Sequence, residues 1–217
     1  MYNEQQISQM VQIILEAFQK AKKCEESPEL ITLGIPSAHI YCSQKTVEQL
    51  FGSHAVLTRA KDLNSFYYEE GVAISGPKGS THGYIFGPLL DDDQDPVIEL
   101  SRSESEAIGV DAPVRESKDD YQSAACRIVG PAGAVACEKG AIIPRRSVNL
   151  PTYIAEELQL KDKDTVSVDS RGVDGTIFEN VLVHVTEDGR HELMLTGDEA
   201  KAAGLKKGSS VKIIIKK

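Results

Sequence analysis

The sequence is poor in several features that define common protein classes. Its 217 residues include no tryptophan, and only 6% of them are aromatic. With 24 basic and 33 acidic residues the net charge is −9, which argues against an electrostatic nucleic-acid surface. No stretch approaches the roughly 20 apolar residues that cross a bilayer. Residues 1–23 lack the basic start and unbroken apolar core of a secretory signal. These absences favour a cytoplasmic globular protein without nucleic-acid or membrane partners.

Cysteine is also scarce. The chain has four cysteines, Cys24, Cys42, Cys126 and Cys137, and no two of them form a C-x-x-C pair. In a chain without a secretory signal we expect reduced thiols. The side chains are expected to serve as small buried apolar residues rather than as nucleophiles.

The N-terminal segment, residues 1–23, is predicted to be an amphipathic helix. Its apolar residues recur at helical spacing from Ile7 to Phe18 and form one stripe. Such a stripe suits a helix that packs on its own domain. It also suits a docking helix for another protein, such as a shell subunit. Residues 24–30 are predicted to be a linker.

The rest of the chain alternates short strands with turns and a few short helices. The stretch "SQKTVEQLFG" predicts a helix with Ser43 as N-cap and Gly52 at its end. Gly-Pro-x-Gly turns at 76–79 and 130–133 predict hairpins. Many short strands with regular turn signals are typical of small β-barrels. The predicted fold class is mainly β with short helices.

Several segments of the sequence occur twice. "ELSRSESEAIGV" (99–110) is echoed by "ELMLTGDEAKAAGL" (192–205), and "HIYC" (39–42) by "RRSVNL" (145–150), each before a helix-like stretch. These echoes predict an internal duplication that gives two related barrel domains, residues 31–125 and 126–217, which are free to exchange terminal segments. A site is then expected in the cleft between the domains.

Collinear motifs over residues 31–213 resemble the PduL-type phosphotransacylases (phosphate propanoyltransferases) of bacterial microcompartments. The matching segments, in order, are "LGIPSAHIYCSQ", "LTRAKDL", "ISGPKG", "IFGP", "VIELSRSESEAIGVDAPVRES", "VGPAGAV", "EKGAIIPRRSVNL", "VSV", "GTIFENVLVHV" and "GDEAKAAGL". The resemblance implies two β-barrels with a zinc pair between them. It also implies exchange of phosphate and coenzyme A on a short acyl group.

The resemblance further implies a particular set of site residues. Each barrel would supply an Arg-His-x-His run, and a glutamate, a later histidine and a phosphate-binding arginine would complete the site. A His-x-His pair suits a strand because alternate side chains point to the same side. Zinc would polarise the thioester carbonyl, and the planar arginine fork would hold phosphate.

The first barrel keeps only part of this set. The first histidine position is His39 and the glutamate position is Glu99, both retained as candidate metal ligands. The second histidine position is Tyr41 and the preceding arginine position is Ala38. The phosphate-binding arginine position falls at Leu90, beside three aspartates where phosphate would bind poorly.

The second barrel loses all three of its expected histidines. Ser147 and Asn149 occupy the two histidine positions on the strand, and Met194 occupies the position of the later histidine. Hydroxyl, amide and thioether groups are weak substitutes for imidazole. We therefore expect no zinc pair; a single weakly held metal at His39 and Glu99 stays open. Arg145 and Arg146 are candidates for binding coenzyme A or its phosphate, or for solvated or locally paired roles.

Three functional hypotheses follow from these residues. The first is a phosphate acyltransferase homologue that is catalytically impaired or silent. The second is an active phosphate propanoyltransferase or acetyltransferase with a rebuilt site, converting acyl-CoA and phosphate to acyl phosphate and coenzyme A. The third is a non-enzymatic microcompartment cargo or scaffold protein that docks through residues 1–23. Acyl-CoA or coenzyme A, a shell protein and a second copy of the chain are the partners considered, in the cytoplasm or inside a microcompartment.

Overall fold

The structure, a computed structural model, describes residues 27–60, 67–171, 175–187 and 190–215. The predicted N-terminal helix, residues 1–23, lies outside this part, so its packing and docking stay predictions. Of the predicted linker, residues 27–30 are described, and Leu30 is the first residue of a strand. Among the residues described, no helix is long and apolar enough to cross a membrane.

Short strands and four short helices make up the described chain. The strands are β1 (Leu30–Gly34), β2 (His39–Ser43), β3 (Tyr67–Gly76), β4 (Gly79–Leu90), β5 (Val97–Glu99), β6 (Val114–Arg115), β7 (Ala124–Val129), β8 (Ala134–Pro144), β9 (Ser147–Pro151), β10 (Thr165–Asp169), β11 (Ile177–Thr186), β12 (Glu192–Met194) and β13 (Ser210–Ile214). The helices are α1 (Gln44–Phe51), α2 (Arg102–Ile108), α3 (Thr152–Leu158) and α4 (Gly197–Ala202).

The strands close into two six-stranded barrels, which confirms the predicted fold class. The first barrel has the order β5-β2-β4-β3-β7-β8, is closed by β5 against β8, and carries β6 beside β8. The second barrel has the order β12-β9-β11-β10-β13-β1 and is closed by β1 against β12. Closure leaves neither barrel with a long unpaired edge.

The two barrels share one topology. Reading both orders together pairs β5 with β12, β2 with β9, β4 with β11, β3 with β10, β7 with β13, and β8 with β1. Each neighbouring pair also has the same direction in both barrels; for example, β2–β4 and β9–β11 are parallel, while β2–β5 and β9–β12 are antiparallel. This agreement is what an internal duplication produces.

One strand is exchanged relative to the order of the chain. The counterpart of β8 in the second barrel is β1, which precedes the whole first barrel in sequence. The predicted boundary between residues 125 and 126 falls inside β7, and β7 and β8 both belong to the first barrel. The first barrel therefore spans residues 39–144, and the second combines residues 30–34 with residues 147–214.

Each barrel encloses its own hydrophobic core, with inward side chains alternating along the strands. Fully buried members of the first core are Ile40, Ile74, Ile85, Ile98 and Ile128. Fully buried members of the second are Val148, Leu150, Val168, Val183 and Leu193. Two separate cores mean that each barrel is stabilised mainly by its own strands.

The helices end where the sequence signals place them. Ser43 caps α1 by accepting a hydrogen bond from the Thr46 backbone N–H, and Gly52 ends the helix at φ 101°. Both features were predicted. Helices α2 and α4 each begin with a reciprocal capping box, Ser-x-x-Glu in the first and Thr-x-x-Glu in the second.

The Gly-Pro-x-Gly turns lie where they were predicted, and each packs against a helix end. Turn 76–79 joins β3 to β4, and turn 130–133 joins β7 to β8. A Cβ on the first glycine of each turn would lie 2.4 Å from a backbone oxygen, that of Ile108 in one case and Leu50 in the other. Only glycine allows so close an approach.

A carboxylate from the second barrel joins the two barrels at their helices. Asp198 in α4 accepts hydrogen bonds from the Ser103 backbone N–H at 2.8 Å and from its hydroxyl at 2.6 Å. Ser103 lies in the first turn of α2, where backbone N–H groups have no partner inside the helix. Although burial acts in the opposite direction, hydrogen bonds from Ser103 hold the pKa of Asp198 below its ordinary value of 3.8.

We predict that Asp198→Ala lowers the free energy of unfolding by about 1–2 kcal/mol at neutral pH, the usual effect of losing a helix cap. Because the pKa of Asp198 is lower in the folded state, the ionised carboxylate stabilises the folded protein at pH values above 3.8. This stabilisation is lost as the pH falls through the folded-state pKa. The difference between wild type and variant should therefore shrink below about pH 4 in urea titrations. Asp198→Asn, which keeps one acceptor oxygen, is the matched control. A difference independent of pH would contradict the assignment.

Candidate functional site

The site is built on a buried pair formed by His39 and Glu99. The two residues face each other across the β2–β5 ladder, and His39 Nε2 lies 3.1 Å from Glu99 Oε2. Each side chain is only 4% exposed. The other ring nitrogen, Nδ1, donates to the Ser37 backbone oxygen at 2.8 Å. Both ring nitrogens of His39 therefore face oxygen atoms.

The second oxygen of Glu99 is held by the loop that follows β6. The Ser117 hydroxyl donates to Oε1 at 2.6 Å, and the Lys118 backbone N–H donates to it at 3.0 Å. Burial alone raises the pKa of Glu99, but the charge and hydrogen bond of His39, with the two loop donors, outweigh it and lower the pKa. Glu99 is therefore a carboxylate with donors on both oxygens.

Tyr41 lies next to this pair and is partly buried. Lys118 Nζ lies 4.4 Å from the centre of the Tyr41 ring, a cation–π contact. Burial and then the charge of Glu99 raise the pKa of the Tyr41 phenol, while the Ser117 hydrogen bond and the charge of Arg190 act against them. A neutral phenol is a poor metal ligand.

The strand register shows which residues of the second barrel correspond to these positions. Where the first barrel pairs His39 with Glu99, the second pairs Ser147 with Met194. Ser147 is buried, with 7% exposure. The pair thus has no acid–base equivalent in the second barrel.

The same register locates the remaining predicted position on β9. Where the first barrel pairs Tyr41 with Val97, the second pairs Asn149 with Glu192. Asn149 is also buried, with 6% exposure. The second barrel therefore presents an amide where a second histidine was expected from the resemblance.

The two candidate arginines have partners within the second barrel. Arg146 Nε lies 3.0 Å from Glu199 Oε1, and its guanidinium lies 5.5 Å from the centre of the Phe178 ring. Arg145 Nη2 donates to the Asn180 backbone oxygen at 3.3 Å. Both side chains therefore have partners within the protein, and their role in binding coenzyme A or phosphate stays a prediction.

The position expected to hold phosphate is a strand end. Leu90 is the last residue of β4 and lies opposite Ser43. In the aspartate run that follows, Asp92 accepts a hydrogen bond from the Lys45 backbone N–H at 3.1 Å, in the first turn of α1. The negative charge therefore sits where a helix favours it. Ala38, the other expected arginine position, is only 2% exposed.

The cleft beside the pair is narrow. It is lined from both barrels by His39, Glu99, Ser101, Pro144 and Thr196 among others, and its volume is ≈ 10 Å³. That is about the space of one water molecule. An acyl thioester has no room there unless the barrels move apart.

The side chains at this site do not form a ligand set for a zinc pair. Zinc usually takes three or four imidazole, thiolate or carboxylate ligands for each ion. The site offers one imidazole and one carboxylate, and their polar atoms are already hydrogen-bonded. Within residues 27–60, 67–171, 175–187 and 190–215, no three or more His, Cys, Asp or Glu side chains form a group that could hold a metal ion.

Two residues of the site were missed by sequence reasoning. Ser117 and Lys118 lie in a loop, where neither periodicity nor ligand spacing gives a signal. The only available hint was the polar stretch "RESKDD" directly after a short apolar segment.

Comparison with known proteins identifies the family to which this fold and site belong. A sequence profile for phosphate propanoyltransferase matches residues 32–206. A phosphate propanoyltransferase of Thermotoga maritima is 36% identical over 189 residues, covering 85% of this chain and 89% of the relative. One from Alkaliphilus metalliredigens is 31% identical over 215 residues, covering 97% and 99%. A third, from Salmonella typhimurium, is 33% identical over 178 residues, covering 80% and 83%.

The chain is thus a two-barrel protein related to acyltransferases. It belongs to the phosphate propanoyltransferase family.

We predict that His39→Leu lowers the free energy of unfolding by about 3–5 kcal/mol, because it leaves the Glu99 carboxylate buried without its cationic partner. The double variant His39→Leu/Glu99→Met should lose less than the sum of the two single changes. Urea unfolding of the four proteins at pH 7 measures the coupling. Strict additivity would show that the two side chains do not stabilise each other.

Proposed function

We propose that this protein is a catalytically silent member of the phosphate propanoyltransferase family. It keeps the two-barrel scaffold and does not carry out the exchange of phosphate and coenzyme A with zinc. The observation that carries the proposal is the closed hydrogen-bond network around Glu99. Its donors are His39, Ser117 and the Lys118 backbone, so the carboxylate serves structure rather than metal binding.

The hydrogen bonds and burial of His39 and Glu99 support the proposal that the protein is catalytically silent. A metal ligand needs a free lone pair directed at the ion, and a catalytic carboxylate needs access to substrate. Here both ring nitrogens of His39 are engaged and both side chains of the pair are 4% exposed. To bind a metal, Glu99 would have to give up a charged partner while still buried, which is costly.

The second barrel supports the same conclusion. At the positions related by register to His39 and Glu99 it offers a hydroxyl and a thioether, Ser147 and Met194. Neither group binds zinc strongly at neutral pH. Without a ligand set that holds zinc, the site would lack the metal that polarises the thioester carbonyl, which the resemblance makes the main source of transition-state stabilisation.

The direct test is a thiol-release assay with propanoyl-CoA and inorganic phosphate, run beside elemental analysis of the same sample. The Thermotoga maritima relative is the positive control. We expect no phosphate-dependent release of thiol and substoichiometric zinc. Phosphate-dependent turnover that is lost on chelation and restored by zinc would refute the proposal.

A restoration experiment tests the reason for the silence. The variant Tyr41→His/Ser147→His/Asn149→His/Met194→His places imidazole at each position where the resemblance expects it, beside the existing His39. We expect this variant to take up about two zinc ions per chain, as measured by elemental analysis after dialysis.

The matched control for restoration carries alanine at 41, 147 and 149 and leucine at 194, so that the same side chains are lost without new ligands. Thermal unfolding of both variants checks that each is folded. Zinc uptake by the control, or equal uptake by the wild type, would show that the imidazoles are not what the site lacks.

A further inference from the structure

A pair of cysteines lies in the first barrel away from the cleft. In the β7–β8 hairpin the register places Cys126 directly opposite Cys137. Both residues face the first core and are buried, with 9% and 7% exposure. Their thiols are hydrogen-bonded to each other. Sequence spacing gave no hint of this contact, because ten residues separate the two along the chain.

The positions of the two residues suit a disulfide without any change of register. Directly opposite residues in an antiparallel ladder have Cα atoms about 4.5–5.5 Å apart. Disulfides bridge Cα atoms roughly 4.4–6.8 Å apart. Both side chains also lie on the same face of the hairpin, since opposite residues share a face. Only the side-chain torsions need to change for the sulfur atoms to bond.

The two thiols are chemically unequal. The hydrogen bond donated by Cys126 lowers the pKa of Cys137, with burial acting against it, while the same bond and burial raise the pKa of Cys126. Cys137 is therefore the thiol that ionises, and Cys126 stays protonated beside it. Burial, and then the nearby charge of Cys137, raise the pKa of Cys42 to about 12. Cys42 is thus an unreactive neighbour.

We propose that Cys126 and Cys137 form a reversible redox pair that closes to a cross-strand disulfide when oxidised by a peroxide. This modification is independent of any acyl transfer by the protein. In the structure both cysteines are free thiols.

The oxidation is a two-electron step in two stages. The Cys137 thiolate attacks one oxygen of hydrogen peroxide, the O–O bond breaks, and water leaves after protonation, which gives a sulfenic acid. The Cys126 sulfur then attacks the Cys137 sulfur, the S–O bond breaks, and a second water leaves with the Cys126 proton. Two thiols and one peroxide give one disulfide and two waters.

Tryptic peptides allow the disulfide between Cys126 and Cys137 to be detected directly. Trypsin cleaves after Arg127 and Lys139, so Cys126 falls in peptide 119–127 and Cys137 in peptide 128–139. Peptide 24–45 carries both Cys24 and Cys42. The purified full chain is treated with hydrogen peroxide, alkylated with N-ethylmaleimide under denaturing conditions, digested, and analysed by mass spectrometry with and without dithiothreitol.

We expect peptides 119–127 and 128–139 to be joined after oxidation and separated by dithiothreitol. The Cys42→Ser control should give the same joined pair, and Cys126→Ser should instead leave Cys137 as a sulfenic or higher acid. Because the decisive reading comes from the wild-type protein, a misfolded variant does not affect it. Alkylation of both cysteines after peroxide treatment, or a link between peptides 24–45 and 128–139, would overturn the proposal.

Discussion

A carboxylate shielded from water must be surrounded by donors, and Glu99 imposes this constraint on the first barrel. Desolvation of an isolated charge costs far more than one hydrogen bond returns, so the surroundings must supply a cation and several N–H or O–H groups. The chain supplies them from a strand and from a loop: His39 across the ladder, and Ser117 and Lys118 after β6. The position of that loop, with Ser117 and Lys118 directed at the Glu99 carboxylate, meets this requirement.

Although the two barrels share one topology, only the first has to surround a buried carboxylate with donors. Both barrels pair their strands in the same order and directions, yet only the first carries a histidine and an acid at the equivalent pair of positions. In the second, the buried Ser147 and the partly buried Met194 carry no charge that needs compensation. Family membership rests on the whole scaffold, whereas chemistry rests on a few side chains, and our proposal separates the two for this chain.

Local signals in the sequence predicted local structure well. Ser43 and Gly52 mark both ends of α1, and the two Gly-Pro-x-Gly turns join strands as expected, because caps and turns are decided by neighbouring residues. Pairings across long distances were harder to predict. That β1 completes the second barrel, and that Ser117 reaches Glu99, depend on three-dimensional closure, which no short window of sequence reports. For His39 and Glu99 the proximity could be expected from the resemblance, but the hydrogen bonds that occupy them could not.

The exchanged strand affects the order in which the protein is assembled on the ribosome. Synthesis runs from the N-terminus, so β1 emerges first but has no partner until β12 and β13 follow it out of the exit tunnel. The first barrel, which is continuous in the chain, is complete long before then. The second barrel can therefore close only after the first is complete, when β12 and β13 are available to pair with β1.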